Sequence, residues 1–241
     1  MFIDDKGIVL RCVKYDDKSF IAHVFTASHG HVSFMVNASR SKRSGASARL
    51  FQPLSFLAFQ WDAKPNVTLH RMKEVRLLFV QHEIPTDPAK RYVVMMLAEF
   101  MVYALGGEAE NSDLYVYMEH SVQWFDAAQE GYANFHLVLL LKLARFLGIA
   151  PNVDEYVKGC AFDLTNGHFV PTGIASELMM DMRDAELLCR LSETNYASMA
   201  EIAMNRHDRA RLVRYLARYF SLNIPGFPVI KSLDILQEVM G

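Results

Sequence analysis

The residues best suited to chemistry in this chain are cations set among small, hydroxylated neighbours. The segment ASRSKRSGASARL, residues 38–50, has no acidic residue and carries Arg40, Lys42, Arg43 and Arg49. Small residues let a backbone approach phosphates closely, and serine hydroxyls add hydrogen-bond donors. This composition therefore fits sequence-independent contact with a nucleic-acid backbone. The alternative is a solvated surface loop with no ligand.

Further cations and aromatic residues are interleaved around this segment. The cations are Arg11, Lys14, Lys18, Lys64, Arg71, Lys73 and Arg76, and the aromatic residues are Phe20, Phe25, Phe34, Phe56, Phe59 and Trp61. Grooves that bind single strands combine charge with stacking in this way. A small barrel needs most of its aromatic rings in the core, so one or two are expected to stay exposed. The predicted DNA-binding residues are Arg11, Lys14, Arg40, Lys42, Arg43, Arg49, Arg71 and Lys73.

The charge distribution supports a polyanion-binding first part. The formal net charge of the 241 residues is -2, but residues 1–80 hold 12 Lys and Arg against 6 Asp and Glu. Residues 81–241 hold 13 against 21. Such asymmetry between the two parts of a chain is typical of proteins that bind nucleic acid through one part.

Catalytic and metal-binding patterns are not found in the sequence. It has no GxSxG, P-loop or HExxH motif, and the region from Asp163 to His168 is the only place where an unrecognised hydrolase site would be sought. Cys12, Cys160 and Cys189 are far apart and form no CxxC spacing, so they suggest neither a disulfide framework nor a zinc site. We expect a cytoplasmic protein with no export signal, membrane span, cofactor, metal or enzymatic activity.

The DNA-binding candidates lie on or between short β-rich runs. Predicted strands are residues 7–15, 19–26, 31–37, 53–61 and 67–77, separated by turn residues. Five antiparallel strands in under 80 residues predict a small barrel. An OB-fold and an SH3-like barrel have the same strand count, so both remain open at this point.

After residue 80 the pattern changes to helical periodicity. Predicted helices are residues 89–105, 112–129, 133–147, 175–190, 196–205, 206–219 and 229–240, with a small hairpin around Asn166-Gly167. The fold class is therefore α+β with two domains: a five-stranded barrel at 1–80, then an all-α domain at 81–241 with a hairpin insertion near 156–172.

One helix of the second domain carries an arginine stripe. Arg211, Arg214 and Arg218 fall within a narrow arc at 100° per residue, in an otherwise acidic domain. We predict that this stripe binds a partner protein, with an acidic tail as its natural ligand. The alternative is a solvated helix face whose arginines pair with local carboxylates.

Several short motifs, in their order along the chain, resemble RecO, a bacterial DNA repair and recombination mediator family. They are Lys6–Arg11 (KGIVLR), His29–Phe34 (HGHVSF), Leu50–Leu54 (LFQPL), the helix from Phe135 to Pro151, and Arg211–Phe220. The resemblance covers nearly the whole length of the chain.

The resemblance implies an amino-terminal OB-fold, binding of single- and double-stranded DNA, and annealing of complementary strands. It also implies cooperation with RecR and with the acidic tail of single-strand-binding protein, loading of RecA, and a nucleoid-associated location in the cytoplasm. The chain departs from the family in one respect, because a four-cysteine zinc finger is expected at 156–172 and only Cys160 stands there. The hairpin from Phe162 to Val170 is expected to replace the metal. A non-enzymatic interaction scaffold with little DNA affinity is the competing function.

Overall fold

Period-two alternation of apolar residues builds a closed barrel at the start of the chain. A computed structural model describes residues 2–37, 48–64, 66–107, 109–172 and 178–233. The barrel strands are β1 (Phe2–Lys14), β2 (Ser19–Thr26), β3 (Gly30–Asn37), β4 (Phe56–Asp62) and β5 (His70–Leu77). Their order is β1-β2-β3-β5-β4, closing on β1, and only the β3–β5 pair is parallel. This Greek-key closure is that of an OB-fold and confirms the predicted five-stranded barrel.

The barrel interior is filled by one layer of aromatic and branched side chains. Val24 and Phe34 are fully buried there, and the Phe34 ring meets Phe59 and Trp61 edge-on with ring centroids 5.3 Å apart. Gly7 lies where β1 comes closest to this layer, since a Cβ at this position would collide with Val24.

Two helices follow the barrel and belong to the same compact unit, Met1–Ala127: α1 (Pro88–Ala104) and α2 (Ser112–Ala127). Asp87 caps α1 by accepting hydrogen bonds from the Ala89 and Lys90 amides, and Pro88 occupies the first helical position. None of the described helices is both long and apolar enough to span a membrane.

A buried carboxylate fixes the connection between β5 and α1. Asp126 accepts hydrogen bonds from the backbone amides of His82, Glu83 and Ile84 at 2.8–3.0 Å. The Lys90 ammonium, 2% exposed, donates to the Asp126 carbonyl at 3.0 Å. Three otherwise unpaired amides are thereby satisfied in one place.

The second compact unit, Ala128–Gly241, is mainly helical. Its elements are α3 (Phe135–Phe146), the strands β6 (Ala161–Asp163), β7 (His168–Val170) and β8 (Met179–Met180), then α4 (Met182–Glu193) and α5 (Arg206–Asn223). The apolar helix α3 packs against both α4 and α5. The strands β6 and β7 form the predicted hairpin around Asn166-Gly167, and β8 adds a third strand beside β6.

Two predicted helices differ from the structure. Residues 196–205 form turns around a single 3-10 turn, Met199–Glu201, because the Asn195 side chain accepts a hydrogen bond from the Ala197 amide and starts an Asx turn. The helix predicted from residue 175 begins at Met182, after β8, where Asp181 supplies the cap. Most of the last predicted helix, residues 229–240, lies outside the described residues.

The division into compact units falls after Ala127, whereas the change from strands to helices falls after Leu77. The predicted domain boundary at residue 80 follows the second criterion and stays a prediction.

Removing the Asp126 carboxylate should destabilise the fold. We expect Asp126→Ala to lower the free energy of unfolding by about 3 kcal/mol, because the amides of His82, Glu83 and Ile84, the last of them buried, are left without their hydrogen-bond acceptor. Urea unfolding followed by circular dichroism measures the change, with the exposed Glu130→Ala as control, expected within about 0.5 kcal/mol of the parent. Equal effects of the two substitutions would contradict the role of Asp126.

The buried His136 should make stability depend on pH. Burial, with the Arg209 charge adding to it, lowers the pKa of His136 from 6.5 to about 3. Between these values the unfolded chain binds a proton that the folded chain does not, so the free energy of unfolding should fall as pH drops below 6.5. We expect His136→Leu to flatten this dependence between pH 6.5 and 5, and the exposed His120→Leu to leave it unchanged. Urea unfolding at a series of pH values measures the slope, and identical slopes would contradict the assignment.

Candidate nucleic-acid interface

The described DNA-binding candidates are exposed cations of the barrel unit. Arg11 and Lys14 lie on β1, Arg71 and Lys73 lie on β5, and Arg49 lies in the 3-10 turn Ala48–Leu50. Arg40, Lys42 and Arg43 lie outside the described residues. Lys14 pairs with Asp17 at 2.9 Å, but side-chain exposures of 75% and 94% make this a weak, solvated ion pair.

Strand register places Arg11 and Arg71 on the same outer face. Residues that pair across neighbouring strands share a face of the sheet. Arg11 pairs with His23 and His23 with Ser33, forming one row across β1, β2 and β3. The adjacent row runs Val13, Ile21, Met35 and then Arg71 on β5. We call these two rows, with His31, the outer β1–β3 face.

A β-bulge turns Arg11 outward. Val9 pairs with Val24 inside the barrel, and strict alternation from Val9 would also point Arg11 inward. The register shifts between Val9 and Arg11, so the extra residue Leu10 restores Arg11 to the outside. Lys73, in contrast, lies opposite Gln60 of β4 in the β4–β5 ladder. Its ammonium is 3.9 Å from the centroid of the Phe2 ring.

Five of the six aromatic rings that the sequence offered for stacking on bases are buried, and Phe20 is partly buried. Phe25, Phe34 and Phe56 are fully buried, Phe59 and Trp61 are 2% exposed, and Phe20 packs edge-on against Phe51. The rings that do lie on the outer β1–β3 face, His23 and His31, were not predicted from the sequence. They stack in parallel, with centroids 5.5 Å apart and planes 6° apart. The two histidines are diagonal neighbours in the β2–β3 hairpin, because His23 pairs with Ser33 and His31 pairs with Phe25.

Both histidines favour the neutral form. Desolvation lowers the pKa of His23, and the Arg11 charge adds to the effect. Desolvation and the neighbouring His23 lower the pKa of His31. Each ring therefore stays uncharged near pH 7, and a hydrogen bond of 3.1 Å between Ser33 Oγ and His23 Nδ1 fixes the first ring.

The arginine stripe on α5 divides into one structural residue and two exposed ones. The Arg211 guanidinium donates to Asp184 at 2.7 Å and to Asp208 at 3.1 Å, two carboxylates that are 0% and 2% exposed. The alternative interpretation, pairing with local carboxylates, therefore holds for Arg211. Arg214 and Arg218 are exposed, and among the described residues no carboxylate lies within ion-pair distance of either. Partner binding by the stripe stays a prediction.

The region proposed for an unrecognised hydrolase site is used by the hairpin. The Asp163 carboxylate accepts hydrogen bonds from the Thr165 amide at 2.8 Å and from the Asn166 side chain at 2.7 Å, which closes the turn between β6 and β7. His168 lies opposite Asp163 in the β6–β7 ladder. Across the described ranges, no group of three or more His, Cys, Asp or Glu residues is arranged to hold a metal ion.

The first unit also has a cleft that the sequence did not reveal. Its volume is about 620 Å³, and its mainly apolar walls include Phe79, Val80 and Met95, with Arg49 and Arg91 among its polar residues. Arg49 thus belongs to the lining of a concave surface, at the end of the cationic segment.

Two family models match the chain. One, described as recombination protein O N terminal, matches residues 1–80, and the other, recombination protein O C terminal, matches residues 85–232. Relatives named DNA repair protein RecO include one from Phocaeicola vulgatus, 40% identical over 235 residues and 98% of both chains. Another, from Bacteroides fragilis, is 41% identical over 97% of both chains, and one from Flavobacterium psychrophilum is 32% identical over the whole of both.

Arg211 and Arg214 should differ sharply in their effect on stability. Arg211→Ala leaves the buried Asp184 without its cation, while Asp208 keeps its ion pair with Arg183. We expect a loss of about 2–3 kcal/mol, less than for a fully buried pair since Arg211 is 39% exposed. Arg214→Ala should change stability by less than about 0.5 kcal/mol. Urea unfolding of both variants measures the difference, and equal values would contradict the division of the stripe.

Proposed function

The chain belongs to the recombination protein O (RecO) family of DNA repair proteins, and from this premise we propose that it is a non-enzymatic mediator of DNA repair and recombination. In this role it binds single- and double-stranded DNA, anneals complementary strands and, with RecR, loads RecA onto strands coated by single-strand-binding protein. Because its substrate is DNA, we expect the protein to associate with the chromosome in the cytoplasm.

The observation that carries the DNA-binding part is the charge of the outer β1–β3 face. Arg11 and Arg71 lie at its two sides, and the strand segments 8–14, 19–26 and 30–37 contain no Asp or Glu. A surface with cations and no carboxylates attracts phosphates without repelling them locally. Sequence-independent binding of this kind suits a protein that must act on any damaged strand.

The cationic segment 38–50, of which residues 38–47 lie outside the described residues, would add positive charge to the interface. It joins β3 towards β4, and its four cations carry no acidic neighbour within the segment. Phosphate contacts from Arg40, Lys42 and Arg43 would add affinity and no base specificity. Phosphate contacts leave the pairing edges of the bases free, which is what annealing requires.

Partner binding is assigned to the second unit. Arg214 and Arg218 form an exposed cationic pair, one helical turn apart on α5, and an acidic protein tail is the complementary ligand. This same pair favours the second candidate function, an interaction scaffold with little DNA affinity of its own.

Salt dependence separates the two functions. We expect binding of a fluorescein-labelled single strand to weaken steeply with salt. The triple variant Arg40→Ala, Lys42→Ala, Arg43→Ala should reduce the log–log slope by about 0.7 for each phosphate that the protein no longer neutralises, up to about 2 in all. Fluorescence anisotropy at a series of NaCl concentrations measures both quantities. The matched control removes three exposed cations of the second unit, Arg145, Lys158 and Arg190, and should leave the slope unchanged.

An unchanged affinity and slope in the triple variant would remove segment 38–50 from the interface. Failure of the parent protein to bind either single or double strands at 50 mM NaCl would favour the scaffold.

A further inference from the structure

We propose that His23 and His31 form a base-stacking platform on the barrel, which takes bases of single-stranded DNA while Arg11 and Arg71 hold the neighbouring phosphates. This inference rests on the proposed DNA-binding function. It names the side chains that contact bases, as distinct from those that contact the backbone.

The strand register assembles the parts of such a platform. His23 lies between Arg11 and Ser33 in one row, and the apolar side chains of Ile21 and Met35 lie in the adjacent row. Arg71 follows Met35 across the β3–β5 pair. With neighbouring strands about 4.8 Å apart, β1 and β5 are about 14 Å apart along the curved sheet. This distance leaves room for a base between the two cations.

The histidine pair is pre-organised for stacking. The two rings are already parallel, so a base can continue the stack on the face of His23 that points away from His31. His31 is the more deeply buried ring and supports His23 from the other side. The Ser33 hydroxyl holds the His23 ring in place, which lowers the entropy cost when a base binds. Because burial also lowers the pKa of both rings, they present uncharged aromatic faces near neutral pH.

The other exposed aromatic rings of the barrel are less suited to this role. Phe2 is 45% exposed, but the Lys73 ammonium lies 3.9 Å from its ring centroid. Tyr15 is 63% exposed at the β1–β2 turn, beside Asp16 and Asp17, whose carboxylates repel phosphates.

The charge pattern favours nucleic acid as the occupant. An apolar and aromatic strip with arginines at its sides and no carboxylate in the strand segments 8–14, 19–26 and 30–37 matches a polyanion that also carries flat rings. Every base has such a face, so stacking adds affinity without requiring a particular sequence.

The test compares His23 variants of the full-length protein on two labelled oligonucleotides of equal length, oligo-dT and an abasic strand with the same number of phosphates. We expect His23→Ala to weaken binding of oligo-dT by roughly 5- to 30-fold without changing the salt slope, because stacking releases no counterions. His23→Phe, which restores a flat ring, should bind within about threefold of the parent. His120→Ala, at an exposed position on α2, is the matched control and should bind like the parent.

The abasic strand separates the platform from a loss of fold. The parent should bind the abasic strand more weakly than oligo-dT, and His23→Ala should cause no further loss on it. The platform is overturned if His23→Ala binds oligo-dT like the parent, or if it loses equally on both strands. Even without a folded His23→Ala variant, equal affinity of the parent for both strands would overturn it. Absence of any binding by the parent would instead overturn the DNA-binding function, and the platform with it.

Discussion

The closed barrel imposes the constraint on which the interface depends: it has space for one layer of side chains inside. Val24, Phe34 and Trp61 take that space. Since side chains alternate along a strand, the residues between them must lie outside, whatever their chemistry. Cations and histidines therefore reach a common outer face through strand pairing, with the bulge at Leu10 turning Arg11 outward. A surface built on paired strands is more rigid than one built on loops, so its cations need little ordering when a strand of DNA binds.

Buried carboxylates decide which cations remain available for ligands. Asp184 and Asp208 hold Arg211 between α4 and α5, and Asp126 organises the segment before α1, with Lys90 bonded to its carbonyl. The carboxylates and Lys90 are buried and must be paired, because an isolated buried charge is costly. An exposed arginine such as Arg214, which has no carboxylate of the described residues within ion-pair distance, can contact an anion from another molecule. Counting charges along a sequence does not distinguish cations that pair with buried carboxylates from cations that remain available for a ligand.

The sequence predicted the barrel, most helices and the hairpin, because period-two and period-3.6 patterns and turn residues are local signals. It did not predict the His23–His31 stack, which depends on the diagonal register of β2 against β3. The outward position of Arg11 also did not follow from the alternation of side chains along β1, because the bulge at Leu10 reverses that alternation. For residues 196–205 the helical periodicity was present, but the Asx turn at Asn195 prevailed over it. The missed features are those in which pairing or side-chain hydrogen bonds override the local pattern.

The hairpin of the second unit packs against α5 through aromatic rings. Phe162 of β6 is fully buried. The centroid of its ring is 5.0 Å from that of Phe169 and 6.0 Å from that of Tyr219 on α5. The strand β8 also pairs with β6. Gly167 has φ +71, and a Cβ there would come within 2.8 Å of the Tyr219 hydroxyl, so the turn fits closely against α5 only with glycine. The close fit of this turn and the aromatic contacts of Phe162 together attach the hairpin to α5.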